Sequence, residues 1–562
     1  MSLEDIVNVA ITAQTSSPTR PGFGTPLIVA YHTRWTSDLV REYASTAEMA
    51  DDGFLVTDPT YLCAQAVFSQ SPRPKKVKVG RRTRAFTQAI KLTPTITTEG
   101  YVYRIVIGGE TLTYAVPGSA SVASICAALT AAVGGMDGGG TEAVKASLVV
   151  DGVGPGRDGE VTYTAVTAGT AGNSITIKHV VAGSETPLSV VVTDTDIVVN
   201  LETNTGNAAI STAAEVVAAI AGDEDASALV TAAVAPIDDD GDAVAAAVAE
   251  TPLAGGAAVG AGDWLAADHT TYVSVTANAA GVLFDYADWS NGLTFEDVTP
   301  NPGSGGIAAD LVDIRAEDDD WYGLLLDSNS KPQVVAAAAA VESMIKLFGY
   351  TTSDTVAYDA NVTSDVFSTL KASNYARSFG LLSSKRLLSW GAAAWMGNRF
   401  PFDPGSDTWA FKTLRGVVTD VLSSGKVTAV LNKRGNVYTA VAGLSVTQFG
   451  KSASGEWVDT TRFVDWLRSE LQIRLFALLV NNQKIPYTDL GVDLVKSVIN
   501  AVLKDGVRAG GLAADPAPEV TAPVVADVDS ITKGDRILPD VKFSATLAGA
   551  IHSLVIDGTL SV

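Results

Sequence analysis

Between Lys178 and Arg315 the chain carries no lysine or arginine. The 21 Asp and Glu residues of His179–Ile314 hold nearly all of the formal net charge of -23, leaving roughly -2 for everything else. So uneven a division limits the architectures open to the chain. A nearly neutral body can pack against copies of itself, whereas a one-signed acidic segment belongs in solvent. With 562 residues, the chain also exceeds what a single hydrophobic core supports, and at least two domains are expected. A composition of 47% hydrophobic and 18% charged residues excludes a disordered chain. The strong negative charge excludes nucleic-acid binding by charge neutralisation.

The texture on either side of the acidic stretch is α/β. Pro26–Tyr31 reads as an apolar strand. A helix is expected from a Thr36 or Ser37 cap through Leu39, Val40, Tyr43 and Ala47, and a second from Asp58-Pro59 through Leu62, Ala66 and Val67. A basic strand, Lys75–Val79, follows. After Asp318-Asp319-Asp320 the alternation resumes. It gives a strand at Trp321–Leu326, then a helix with Pro332 near its start that uses Val334, Ala338, Val341, Ile345 and Phe348 as one face. Asp365–Ala372 reads as a helix, Ser378–Leu382 as a strand and Ser384–Trp395 as a helix. The most regular periodicity lies in Thr461–Val480, where Val464, Leu467, Leu471, Leu475 and Leu478 recur every three or four residues. A partner helix uses Val492, Val495, Ile499, Val502 and Leu503 and stops at Gly506.

From Thr95 to Asp313 the texture is β-rich. Two strands flank Gly108-Gly109 as a hairpin and lead to a helix at Val122–Val133. A comparable strand–strand–helix order returns at Glu160–Val166, Ser174–Val181 and Thr212–Ile220, which suggests a loose internal repeat. The expected fold class is therefore α/β (α+β): a discontinuous core, 21–94 and 314–512, with an acidic β-rich insertion of one or two domains at 95–313. Residues 513–540, rich in Ala, Pro and Val at their start, read as linker and core edge.

Both ends of the sequence are apolar strand segments. In the first arm, 1–20, Val7, Val9 and Ile11 share one face of a strand, and a turn-rich stretch, Ser16 to Gly22, detaches it. In the last, 541–562, Val541 to Leu547 alternate, and Leu554, Val555 and Ile556 lie in a final strand before Asp557-Gly558. Such strands either complete the chain's own sheet or are donated to a neighbour's, with backbone hydrogen bonds supplying adhesion.

Motifs for chemistry are weak throughout. Cys63 and Cys126 lack metal spacing and read as two buried thiols of a reducing compartment. His32, His179, His269 and His552 form no ligand pair. Gly154–Gly159 matches G-x-G-x-x-G but leads into a strand, where no helix amides could cradle a phosphate. Gly450-Lys451-Ser452 has Ser445 where a P-loop requires glycine. Asp238, Asp240 and Asp242 suggest a calcium loop, but Ala243 and Ala249 stand where an EF-hand has Gly and Glu. No nucleophile stands in a G-x-S-x-G frame. The expectation is a non-enzymatic chain without metal or cofactor. With no basic n-region and no long apolar run, neither a signal peptide nor membrane insertion is expected.

Several segments, in order, resemble contractile-tail sheath proteins of bacteriophages: Ile6–Ile11, Ala66–Pro74, Val77–Arg81, Thr408–Val417, Asn436–Tyr438, Gly455–Asp459, Asp465–Leu467, Ile485–Gly491 and Leu547–His552. They flank the acidic insertion and do not enter it. The resemblance implies a structural subunit that stacks in six-membered rings around a tail tube protein. It further implies terminal-strand exchange between subunits, contact with baseplate and tail terminator proteins, and contraction that drives the tube through a host envelope. The site residues it implies are Val7, Val9 and Ile11 on one arm and Leu554, Val555 and Ile556 on the other. Such a protein is made in a host cytoplasm and carried on the virion tail. The alternatives are the sheath of a related injection system, a β-rich surface or adhesion protein, and a hydrolase on the α/β body.

Overall fold

The computed structural model describes residues 22–141, 145–153, 159–234, 241–256, 262–284, 286–288, 290, 292–299, 305–383 and 390–559. Val7, Val9 and Ile11 lie outside these, as do most of the Gly154–Gly159 motif, Asp238 and Asp240, and the start of the helix expected at Ser384.

A six-stranded sheet draws strands from both flanks of the acidic region. Its order is Val40–Tyr43, Val77–Arg81, Pro26–Ala30, Gly323–Leu326, Leu347–Thr352 and Ser378–Leu382. All neighbours run parallel except the first pair. Pro26–Ala30 is buried along its whole length, as a strand covered on both faces must be. Its side chains alternate: Ile28 and Ala30 enter one hydrophobic cluster, Leu27 and Val29 the other. The first cluster packs under the helices Pro59–Phe68 and Gly391–Arg399. These two helices approach so closely that a Cβ on Gly397 would stand 2.7 Å from the Val67 carbonyl oxygen. The second cluster packs under Gly306–Glu317, Lys331–Glu342 and Val366–Ala372.

Two expected helices are corrected here. Val40–Tyr43 is the antiparallel edge strand, and the helix begins only at Thr46, where the Ser45 hydroxyl accepts from the Glu48 amide. The Pro332 helix stops at Glu342, and Phe348 lies in the strand Leu347–Thr352. Between them Lys346 is buried, its ammonium 3.7 Å from the Trp321 ring centroid and donating to the Asp319 carbonyl at 2.9 Å.

The acidic region holds two separate hydrophobic cores, one nested within the other. The outer one is built on a five-stranded sheet, Leu293–Asp297, Ala89–Pro94, Val273–Ala277, Trp264–Asp268 and Gly139–Thr141, with the Gly108-Gly109 hairpin and the helix Val122–Gly134 beside it. The inner one, Ala146 to Leu253, is assembled from a three-stranded and a four-stranded sheet and the helix Ala213–Gly222, whose Thr212–Glu215 capping box is complete. The expected repeat is not seen. Val102–Ile107 and Glu110–Ala115 pair with each other, whereas Val161–Ala165 and Thr176–Val180 belong to different sheets. Ala89–Pro94, placed by sequence in the core, pairs with Val273–Ala277 and Leu293–Asp297. Gly306–Glu317, which the Asp313 boundary cuts, packs wholly on the six-stranded sheet.

Where the two flanks meet, strand order reverses between Pro26–Ala30 and Gly323–Leu326, and open α/β sheets place ligands beyond the carboxyl ends of such strands. Here the position holds a buried aspartate. The Tyr31 amide donates to Asp327 Oδ2 at 3.1 Å, and burial pushes the carboxyl up to about 7 despite the nearby Arg82 guanidinium. A carboxyl raised in the fold stabilises it fully only below the unfolded value, ~4, and that contribution is lost as pH rises toward 7. Asp327→Asn, which keeps the acceptor and removes the ionisation, is therefore expected to stabilise the fold by up to about 4 kcal/mol at pH 8 and by little at pH 4. Denaturation midpoints of the two proteins across that range test this; a constant difference between them would refute it.

Candidate assembly surface

The chain from Val458 onward is built on two packed helices. Val458–Asn481 carries Phe463, Leu467 and Leu471, and Asp489–Ala509 carries Ile499, Val502 and Leu503, all in one cluster. The second helix is capped by the Thr488 hydroxyl and runs past the expected stop at Gly506 to a left-handed Gly510. Gly511 then lies so close to Phe463 that a Cβ would stand 2.2 Å from its ring. The segment expected to be linker contains the strand Glu519–Thr521, which pairs antiparallel with Lys542–Ser544. This two-stranded ladder is isolated: Val520 is buried against the helix pair, but Lys542, Phe543 and Ser544 are all exposed.

Beyond the ladder the chain is pinned at two points. At the first, the Ala513 amide donates to the Thr546 carbonyl (2.8 Å) and the Ala548 amide to the Gly511 carbonyl (3.0 Å). At the second, His552 Nε2 and Thr408 Oγ1 lie 2.8 Å apart. The imidazole there meets the Trp457 and Phe411 rings nearly edge-on, with centroids at 4.5 and 5.6 Å. Between the pins, Leu547–Ala550 form the outer wall of a cavity of about 400 Å³ that Asp407, Lys412, Asp459 and Phe463 also line. Burial lowers the Lys412 ammonium and raises the Asp459 carboxyl, which hydrogen bonds from the Thr460 amide and the Thr408 side chain draw partly back.

After His552 the structure departs from expectation. Leu554, Val555 and Ile556 are 77%, 89% and 86% exposed, and Ser553–Gly558 form no strand and no backbone hydrogen bond with the described residues. The segment is apolar, extended from a fixed root and unpaired. The three C-terminal residues singled out by sequence thus stand together on one free segment. Among the described residues, this segment adds to no sheet of the chain.

Sequence reasoning did not identify the root itself: Thr408, Phe411, Trp457, Asp459 and His552. The signal was present, because these residues come from three of the segments that carry the sheath resemblance, Thr408–Val417, Gly455–Asp459 and Leu547–His552. One more such segment is joined to Thr408–Val417, and two others are anchored on the rest of the body. Gln70 clamps the Arg415 backbone, donating to its carbonyl at 2.9 Å and accepting from its amide at 3.1 Å. The buried Asn436 side chain accepts from the Gly450 and Lys451 amides, both at 3.0 Å. Asp465 accepts from the Tyr322 hydroxyl at 2.7 Å and pairs with Arg377.

The other candidate position, around Asp327, does not present the parts of a catalytic centre. Cys63 beside it is fully buried, and burial and the Asp327 charge both raise its thiol. The His32 ring is enclosed by Trp35 and Phe54 and lowered to about 4, chiefly by burial. Among the described residues no group of three or more His, Cys, Asp or Glu is placed to hold a metal, and no helix is long and apolar enough to cross a membrane.

Residues 458–519, the helix pair and the chain up to the start of the ladder, match the family model described as E217 tail sheath protein gp31-like, C-terminal domain. The match bears out the sheath resemblance over these residues. No curated protein sequence matches the chain. Among solved structures, the chain aligns with a sheath tail protein from Desulfitobacterium hafniense at 12% identity and TM-score 0.37, covering 92% of this chain and 93% of that one. It aligns with a chain of the anti-feeding prophage baseplate at 13% identity and TM-score 0.36, covering 46% and 74%. A chain of the contracted sheath complex of an extracellular contractile injection system, PVC, aligns at 12% identity and TM-score 0.35, covering 45% and 75%.

Proposed function

We propose that this chain is the structural sheath subunit of a contractile tail, without a catalytic role. It polymerises as stacked six-membered rings around a tail tube protein, between baseplate and terminator proteins, and contracts to drive the tube through a host envelope. One observation carries the reading: the match to a tail-sheath C-terminal domain falls on the helix pair at whose base the unpaired apolar segment is rooted.

A free apolar strand and an isolated two-stranded ladder are each unsatisfactory in a lone molecule. Two strands are marginal by themselves, and unpaired edges invite pairing. In a lattice the two needs meet if Leu554–Ile556 of one subunit adds to the ladder Glu519–Thr521/Lys542–Ser544 of the next, with Val7, Val9 and Ile11 contributed by a further subunit. Head-to-tail contact of this kind does not close on itself and generates a helical tube. In this arrangement the core is discontinuous, formed by the residues before about 86 and after about 305. The acidic modules between them face outward, where like charge keeps neighbouring sheaths apart. Assembly takes place in the host cytoplasm, and the product is part of the virion.

Negative-stain electron microscopy of the full chain and of a chain lacking Ile551–Val562 tests this directly. Hollow tubes are expected from the first, alone or with its tube protein, and folded monomers from the second. Normal tubes from the shortened chain would refute strand exchange through this arm.

A further inference from the structure

We infer that His552 is a releasable pin that holds the root of the C-terminal arm, and that 549–552 is the strap it keeps against the body. The inference rests on the sheath reading only for what the release of the strap is used for.

The two attachment points flanking this strap are unequal. The inner one is a fragment of β-ladder, the two backbone hydrogen bonds that make the Leu512–Leu547 bridge. The outer one is a single side-chain bond to Thr408 and the edges of two aromatic rings. Between them, Gly549 and Ala550 are exposed on one side and border the cavity on the other, with no backbone hydrogen bond to the described residues. The outer attachment therefore yields first under tension, and the inner one then becomes the pivot. Freed, the four residues 549–552 let the arm swing from a pivot up to about 13 Å farther back along the chain. A subunit joined to its neighbours through this arm could then change its distance from them without unpairing the donated strand. His552 is a positioning residue in this device: it sets where the arm leaves the body.

The test uses the full chain as a monomer, so its outcome does not depend on whether tubes form. Both native thiols are buried, and a nitroxide label is directed to Ser553→Cys, just beyond the pin, or to Ala545→Cys, on the body side of the inner attachment. With His552 present, both labels are expected to report restricted motion. In a His552→Ala background the Ser553 label is expected to shift to fast nanosecond motion while the Ala545 label is unchanged. Thr408→Val, which removes the hydrogen bond to His552 along with those to the Ala410 amide and Asp459 but leaves the two ring contacts, is expected to give an intermediate shift. A Ser553 label already fast in the unaltered chain would overturn the pin, as would one that stays restricted after His552→Ala. A shift at both positions would overturn the separation into two attachments.

Discussion

Asp310→Ala is expected to destabilise the six-stranded-sheet unit by about 3–5 kcal/mol, the cost of leaving a buried charge without its partner. Asp310 has a side-chain exposure of 0% and Arg82 of 1%, and Arg82 Nε donates to Asp310 Oδ2 at 3.0 Å. The other carboxylate oxygen accepts from the Arg84 guanidinium at 2.9 Å and the Thr83 amide at 3.2 Å. Arg82 also donates to Gln333 at 3.0 Å, and its guanidinium lies 4.8 Å from the Phe86 ring centroid. Arg82–Arg84 directly follow the strand Val77–Arg81, and Asp310 sits in the helix Gly306–Glu317, so the cluster clasps the chain where it leaves the sheet and where it returns. Chemical denaturation of the variant is expected to show an earlier transition. Replacing both Arg82 and Asp310 with leucine is expected to recover part of the loss, because two apolar groups leave no unpaired charge. A single variant as stable as the parent would show the cluster to be energetically idle.

The second large effect is on assembly, with folding untouched. In an added strand, Leu554 and Ile556 share one face and Val555 takes the other. Each large aliphatic side chain buried at such a junction stabilises it by about 1.5–3 kcal/mol. Leu554→Asp combined with Ile556→Asp is therefore expected to weaken subunit contact by more than about 100-fold and to abolish tubes. Val555→Asp is expected to do markedly less. All three side chains are exposed in the monomer, so its melting temperature is expected to stay put. Sedimentation and thermal melting read the two properties separately. Equal damage from the two changes would contradict a strand with one buried face.

Local signals foretold what they physically govern. Asp58-Pro59 marked the start of the helix Pro59–Phe68, Gly108-Gly109 the hairpin, and the aliphatic period from Val464 to Leu478 the helix Val458–Asn481. Failures came where period and context competed. Leu39, Val40 and Tyr43 fit a helix as well as a strand over so few residues, and only pairing with Val77–Arg81 decides between them. Ile345 and Phe348 prolong the face of Lys331–Glu342 on paper, but burying Lys346 against Trp321 turns the chain into a strand. Nesting of one acidic module in the other depends on pairings such as Gly139–Thr141 with Trp264–Asp268, and no local pattern encodes contacts at that separation. The C-terminal residues were legible as apolar and strand-like, but their root was not. His552 gains meaning only once Thr408, Phe411 and Trp457 are brought beside it.

The nested arrangement also makes one module of the molecule replaceable. The inner acidic module begins and ends at Ser147 and Ala254, which exchange two backbone hydrogen bonds, at 2.9 and 3.0 Å. A short turn between them would close the gap if everything between were cut out, and a foreign domain with adjacent termini could be grafted in the same place. The six-stranded sheet, the helix pair and the arm contribute no strand to that module's sheets. Evolution and the engineer therefore meet the same opportunity: a socket in which this module can be exchanged while the rest of the chain is inherited unchanged.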